Sequence, residues 1–186
     1  MPVSITLEQG ARRAGAYRWA EARLFEILGG WVTSTPEQEA KLLLDRHSQH
    51  HAWRARQWWD RLPLLAGVDR DALVDAPSPD AAAAADALAG TEGTVARLAA
   101  LYRVALPRLV AAYTVHRQQA TPLSDGATLR TLDLVGRDAE GDWREGEVLL
   151  QGLIVDVSSA QVAASSAGRL EALVVAAAFR PGDRSG

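Results

Sequence analysis

The sequence contains no cysteine, which removes disulfides, zinc–thiolate sites, iron–sulfur clusters and cysteine nucleophiles from consideration. Lys41 is the only lysine, so arginine carries nearly all of the positive charge. That bias, together with the alanine runs, is the association left by a GC-rich bacterial genome. The net charge of −3 is small, leaving no overall field to attract nucleic acid or an anionic membrane. No long apolar run is present: Leu173 to Phe179 is far short of the ~20 residues that cross a bilayer. Residues Met1 to Gly10 lack the basic-then-apolar pattern of a secretory signal. Alternating β-branched stretches are scarce as well. The expectation is a soluble, cytoplasmic protein that binds neither nucleic acid nor membrane.

What is present is ordinary globular material. Of the 186 residues, 48% are hydrophobic and 23% charged, enough for one domain spanning 1–186 with its own core. Helical periodicity recurs throughout. The first helix is expected from Leu7 to about Leu28, closed by Gly29 and Gly30 as a C-cap. Ser34-Thr35-Pro36-Glu37 then opens a second helix, Pro36 to about Leu62, which Pro63 stops. Residues 64 to 80 read as a connection with room for one short turn. Ala81 to Ala85 favours helix, and Gly90 and Gly93 break it. A third long helix runs from about Thr94 to Gln119, with a kink expected at Pro107. A fourth is expected from about Ser124 to Asp156 and a fifth from about Ser158 to Phe179. Arg180 to Gly186 form a frayed tail. Four long helices plus a fifth predict an all-α bundle with an additional C-terminal helix.

Polar residues inside apolar stripes carry the functional signal. The first helix presents Ala14, Tyr17, Glu21, Leu24 and Leu28 on one face, with a carboxylate at its centre. The second presents Ala40, Leu44, His47, His51, Arg54 and Trp58, with His50 within a turn of both histidines. With the connecting loop centred near Thr33, Glu21 and His47 differ by about 3 Å along the axis, at 1.5 Å per residue. A carboxylate would then face imidazoles, a donor set that first-row metals accept. On the fourth helix Asp138, Asp142 and Glu145 share a face that continues into Val135 and Leu149, flanked by Trp143 and Gly146. On the third helix Tyr102 and Tyr113 are expected to point inward, and His116 lies near its end.

Three segments carry a resemblance: WAEARLFEILGGWV (Trp19 to Val32), HSQHHAW (His47 to Trp53) followed by RLP (Arg61 to Pro63), and RDAEGDWREGEVLLQ (Arg137 to Gln151). Together they resemble a bacterial group of ferritin-like four-helix proteins, across about two thirds of the chain. The resemblance implies a ferritin-like bundle, whose best-known members bind two metals through carboxylates and Glu-x-x-His pairs. This chain has no Glu-x-x-His motif and no histidine on its fourth helix. Arginine stands at 54 and 56, and alanine at 139, where a metal-binding relative would carry ligands.

Three functions remain open on this reading. The first is a non-haem oxidase or oxygenase acting on a small organic molecule through a non-standard iron or manganese site. Its metal ligands would come from Glu21, His47, His50, His51, Asp138 and Asp142, and its catalytic group would be Glu21, His47, His51 and Asp142. Tyr17, Trp53, Arg54 and Trp143 would line the pocket. The second is a metal-free protein in which a buried Glu–His group binds a ligand or performs acid–base chemistry. The third is a structural or partner-binding bundle in which an arginine such as Arg54 pairs with the buried acids. The apolar run Leu170 to Phe179 predicts a homodimer through the fifth helix.

Overall fold

The computed structural model describes residues 6–64, 67 and 69–177, and among these every regular element is helical. Six helices follow in order: α1, Leu7–Val32; α2, Gln38–Trp59; α3, Pro79–Ala89; α4, Thr94–Gln119; α5, Pro122–Leu153; and α6, Val157–Ala177. A single 3₁₀ turn, Asp71–Leu73, interrupts the connection after α2. Phe179 and the tail expected at 180–186 lie outside the described residues.

The helix starts follow local chemistry. Thr6 and Gln9 form a reciprocal capping box at α1, so two backbone donors that no helix turn can satisfy are bonded. Ser78 caps α3 by accepting from the Ala81 N–H, with Pro79 in the first turn. Gly93, which precedes α4, holds a φ of 83°, a conformation that costs other residues a Cβ clash.

Two sequence expectations are corrected. Gly29 and Gly30 do not end α1; the helix continues through both to Val32. The apolar stripe extends beyond them to the buried Trp31, whose indole N–H donates to the Ala89 carbonyl at 3.2 Å, and the Arg97 guanidinium sits over its ring. Burying that indole outweighs the weak helix propensity of two glycines. The kink expected at Pro107 takes the form of a π turn at Leu101–Ala105, in which the Leu106 N–H bonds to the Leu101 carbonyl five residues back. The proline ring would collide with the carbonyl four residues earlier, Arg103, and widening the helix there removes the collision. The remaining differences are small. α2 spans Gln38–Trp59, α5 ends at Leu153, and the alanine run is a separate helix.

The side chains set the packing order. α1 lies antiparallel to α2, Tyr17 meeting Trp58 and Glu21 meeting His51. It also lies antiparallel to α4, since Arg13 reaches Gln119 while Trp31 reaches Arg97. α5 completes the ring, antiparallel to α4 through Arg103–Glu147 and Arg117–Asp133 and to α2 through His50–Asp142. α2 ends beside the start of α1, and α4 begins beside its end. The connection from 60 to 93 therefore travels the length of the assembly. It crosses α1 at Gly15, where a Cβ would lie 1.8 Å from the Leu73 carbonyl oxygen. α6 covers the first half of α4, with Ala163 and Leu170 buried and Ser166 bonded to the Ala96 carbonyl. By length and apolarity alone α4 could cross a bilayer; here it is the core helix between α1, α5 and α6.

Candidate functional site

The four ring helices enclose a polar group in a largely apolar interior. Glu21, His47, His51 and Arg54 have no exposed surface, and Asp142 retains 3%. Such groups are retained inside proteins only when their charges and hydrogen bonds are matched, and each of these has a partner.

Glu21 is the centre of one half. Its carboxylate accepts from Tyr113 Oη at 2.6 Å, from His51 Nδ1 at 2.5 Å, and from Arg54 Nε at 3.0 and 3.1 Å to its two oxygens. Burial pushes the Glu21 carboxyl up, but Arg54, His51 and the two hydrogen bonds outweigh it and hold it below the ordinary range. Arg54 reaches onward from α2 to α5, donating from Nη1 to Asp138 at 2.5 Å and Asp142 Oδ2 at 2.8 Å. Burial alone would weaken the guanidinium's hold on its proton. The facing carboxylates reverse that and keep it charged.

His51 lies between opposites. Its Nδ1 is 2.5 Å from Glu21 and 2.9 Å from Arg54 Nη2, and one nitrogen cannot both donate to a carboxylate and accept from a guanidinium. Donation to Glu21 satisfies the shorter contact. It also leaves the partnerless Nε2 as a bare acceptor, which is less costly than an orphaned N–H. Burial pushes the imidazole below its ordinary range, so it is neutral. Trp58 completes the support by donating to Tyr113 Oη at 3.1 Å, and Tyr17 packs against both rings, tilted to Trp58 and edge-on to Tyr113.

The other half is built on the α2–α5 seam. His47 Nδ1 is 2.7 Å from Tyr102 Oη, and its Nε2 is 3.1 Å from Glu145 Oε2 and 3.4 Å from Asp142 Oδ1. His50 Nδ1 meets the same Asp142 oxygen at 2.7 Å. Asp142 thus joins the halves, with Oδ1 toward the histidines and Oδ2 held by Arg54. Burial holds His47 below its usual range, and Tyr102 is pushed well above its own by burial and then by Asp142 and Glu145. The phenol therefore stays protonated. The seam opens outward: the His50 side chain is 37% exposed and Glu145 50%, and Arg46 pairs with Glu145 at the rim.

The residues singled out from sequence divide accordingly. Glu21, His51, Arg54 and Asp138 form the first half, His47 and His50 the second, and Asp142 belongs to both. Tyr17 lies against the first half. Trp53 and Trp143 are 42% and 37% exposed. Tyr102 and Tyr113 do point inward, but two partnerships were not read from the sequence: Tyr102 on His47, and Tyr113 with Trp58 on Glu21. The nearest clue to the former is Gly146. A Cβ there would lie 2.3 Å from the Tyr102 ring, so this glycine makes room for the phenol.

The donor atoms of His47, His50 and Asp142 lie within 4.8 Å of one another, close enough to converge on one ion. Glu21 and Asp138 are engaged by Arg54 instead. Comparison with protein-family models, curated proteins and solved structures gave no match to this chain.

Proposed function

We propose that the chain is a ferritin-like four-helix bundle, extended by α6, that holds one divalent iron or manganese ion at the α2–α5 seam. The observation that carries this reading is the convergence of His47, His50 and Asp142 within 4.8 Å, with Glu145 beside them. Two imidazoles and two carboxylates form a donor set suited to a first-row divalent ion. The fit extends to the surroundings. Tyr102 fixes the far nitrogen of His47 and Arg54 holds the far oxygen of Asp142, as orienting partners of metal ligands do. In this arrangement His47 Nδ1–H donates to Tyr102 Oη, leaving Nε2 unprotonated toward the seam. Bound there, the ion would supply Lewis-acid or redox chemistry. The ferritin-like resemblance makes oxidation or oxygenation of a small organic molecule the proposed reaction class. The half-exposed His50 and Glu145 give that molecule a route in.

One observation favours a second reading. The Arg54 guanidinium, fully buried, already pairs with Glu21, Asp138 and Asp142. On that reading the polar group is an ion-paired core that specifies packing. The two readings part in one experiment. The purified protein and its His47→Ala and Glu21→Gln variants are reconstituted with Fe(II) or Mn(II) without oxygen, then analysed for metal. One ion per chain, lost in His47→Ala and kept in Glu21→Gln, is the expected result. A metal-free wild type selects the ion-paired core, and loss in Glu21→Gln alone overturns the ligand assignment.

A homodimer through α6 is part of the proposal, supported by the exposed Val162, Leu173 and Val175 on that helix. Sedimentation equilibrium tests it.

A further inference from the structure

A second cavity lies outside the polar group, between the α1–α4 face and the layer formed by α3 and α6. It has a volume of about 120 Å³, and none of the polar-site residues lines it. Its walls are apolar, with Leu24 from α1, Ala84 from α3, Leu109 from α4 and Leu170 from α6. The α3 wall consists largely of Ala81, Ala84 and Ala85, whose methyl groups do not reach far enough to close the gap between the layers. Apolar walls left uncovered forfeit dispersion contacts, which an occupant of matching shape restores.

The charged residues of the lining are Arg23 and Arg108. Each is tethered to acids, Arg23 to Asp86 at 2.8 Å across the α1–α3 seam and to Glu26 of α1 at 3.0 Å, and Arg108 to Glu171 between α4 and α6. Their side chains are 30% and 43% exposed, so these ion pairs are wet and contribute little to stability. A guanidinium in such a pair can turn to a new carboxylate at small cost and receive it through two parallel hydrogen bonds. Apolar walls with a few convergent polar groups are the ordinary make-up of a small-molecule site.

We propose that this cavity binds a small amphipathic monoanion, an apolar body of about six carbons whose carboxylate is held by Arg23 and Arg108. The size follows from the volume, since an apolar cavity of roughly 150 Å³ takes up benzene. The site is independent of the metal proposal, and no polar-site residue takes part in its test.

The test is isothermal titration calorimetry of the full-length protein with hexanoate and its neutral counterpart, hexan-1-ol. Hexanoate is expected to bind at least about tenfold more tightly, the margin of one charge-assisted hydrogen-bond pair. In the Arg23→Gln/Arg108→Gln double variant, hexanoate is expected to fall to the affinity of hexanol, with hexanol unchanged. Ala84→Leu fills the cavity and is expected to abolish both. Ala85→Leu, at a half-buried wall position, gives the same test should the first variant fail to fold, as judged by circular dichroism. No hexanoate binding at millimolar concentration would overturn the proposal. So would equal affinity for the alcohol, hexanoate affinity retained in the double arginine variant, or binding retained in a folded cavity-filling variant.

Discussion

Replacing Arg54 with methionine removes the charge while keeping much of the side-chain volume. Glu21 and Asp142, 0% and 3% exposed, lose the cation that both contact, and Asp138 loses its partner as well. Removing one member of a buried ion pair costs about 3–5 kcal/mol, because the charge left behind stays desolvated. Against a total stability of roughly 5–15 kcal/mol for a domain, that loss is large. At about 2–4 °C per kcal/mol for a chain of this length, it lowers the Tm by roughly 6–20 °C. The pH dependence identifies the cause. In the wild type Glu21 is held below its unfolded value, so its contribution is present at neutral pH and is lost as pH falls through the folded pKa. In the variant the carboxyl, left without its cation, is pushed upward by burial and takes up its proton at a higher pH than in the wild type. The stability gap between the two proteins must therefore narrow as the pH drops from 7 toward 4. Urea denaturation of both proteins at several pH values measures it. A gap below about 1 kcal/mol at pH 7, or one that stays constant with pH, would refute the claim that Arg54 is the counter-charge of the core.

Three further outcomes are expected. Gly146→Ala forces the Tyr102 ring to move, since a Cβ would lie 2.3 Å from it, and should cost about 1–3 kcal/mol. Gly141→Ala on the same helix meets nothing within 4 Å and should instead stabilise by about 0.5–1 kcal/mol; chemical denaturation of the pair checks the contrast. His116 is pushed down to about 4 by burial and then by Arg13. The unfolded chain therefore binds the extra proton between pH 6.5 and 4, and stability falls across that window by up to about 3 kcal/mol; replacing His116 with phenylalanine should remove that part of the pH slope. On the metal proposal, Tyr102→Phe should weaken Mn(II) binding about 10–100-fold with the fold retained, as read by metal titration alongside circular dichroism.

The sequence carried the helices well because their punctuation is local. Gly93 before α4, the hydroxyl and proline residues before α3 and α5, and Pro63 after α2 act within one turn of chain. Register was another matter. Ending the first helix at Leu28 centres the loop near Thr33 and sets Glu21 opposite His47. Because Trp31 finds a buried place, α1 runs to Val32, and Glu21 meets His51 and Arg54 one to two turns farther along. Which residues would be polar and buried was readable, because Glu21, His47, His51 and Asp142 lie on helix faces that run into apolar residues at their ends. How they sort into two groups was not. That depends on how α2 lies against α5, a contact between segments with no spacing rule to link them. The same limit applies to Tyr102, whose place on His47 depends on a π turn in its own helix and a glycine on another.

The crossover from 60 to 93 has a consequence for how the chain folds. Contacts within each helix pair close short loops, whereas Arg54 meets Asp138 and Asp142 across separations of 84 and 88 residues, and Tyr113 meets Glu21 across 92. Such distant contacts form late, because the entropy of closing a long loop must be overcome first. Asp142 belongs to one pair and its cation to the other, so neither can desolvate its polar residues alone. Docking of the two helix pairs and completion of the core ion pairs are then a single event. A half-assembled chain keeps that seam hydrated, and water leaves it only as the final structure closes.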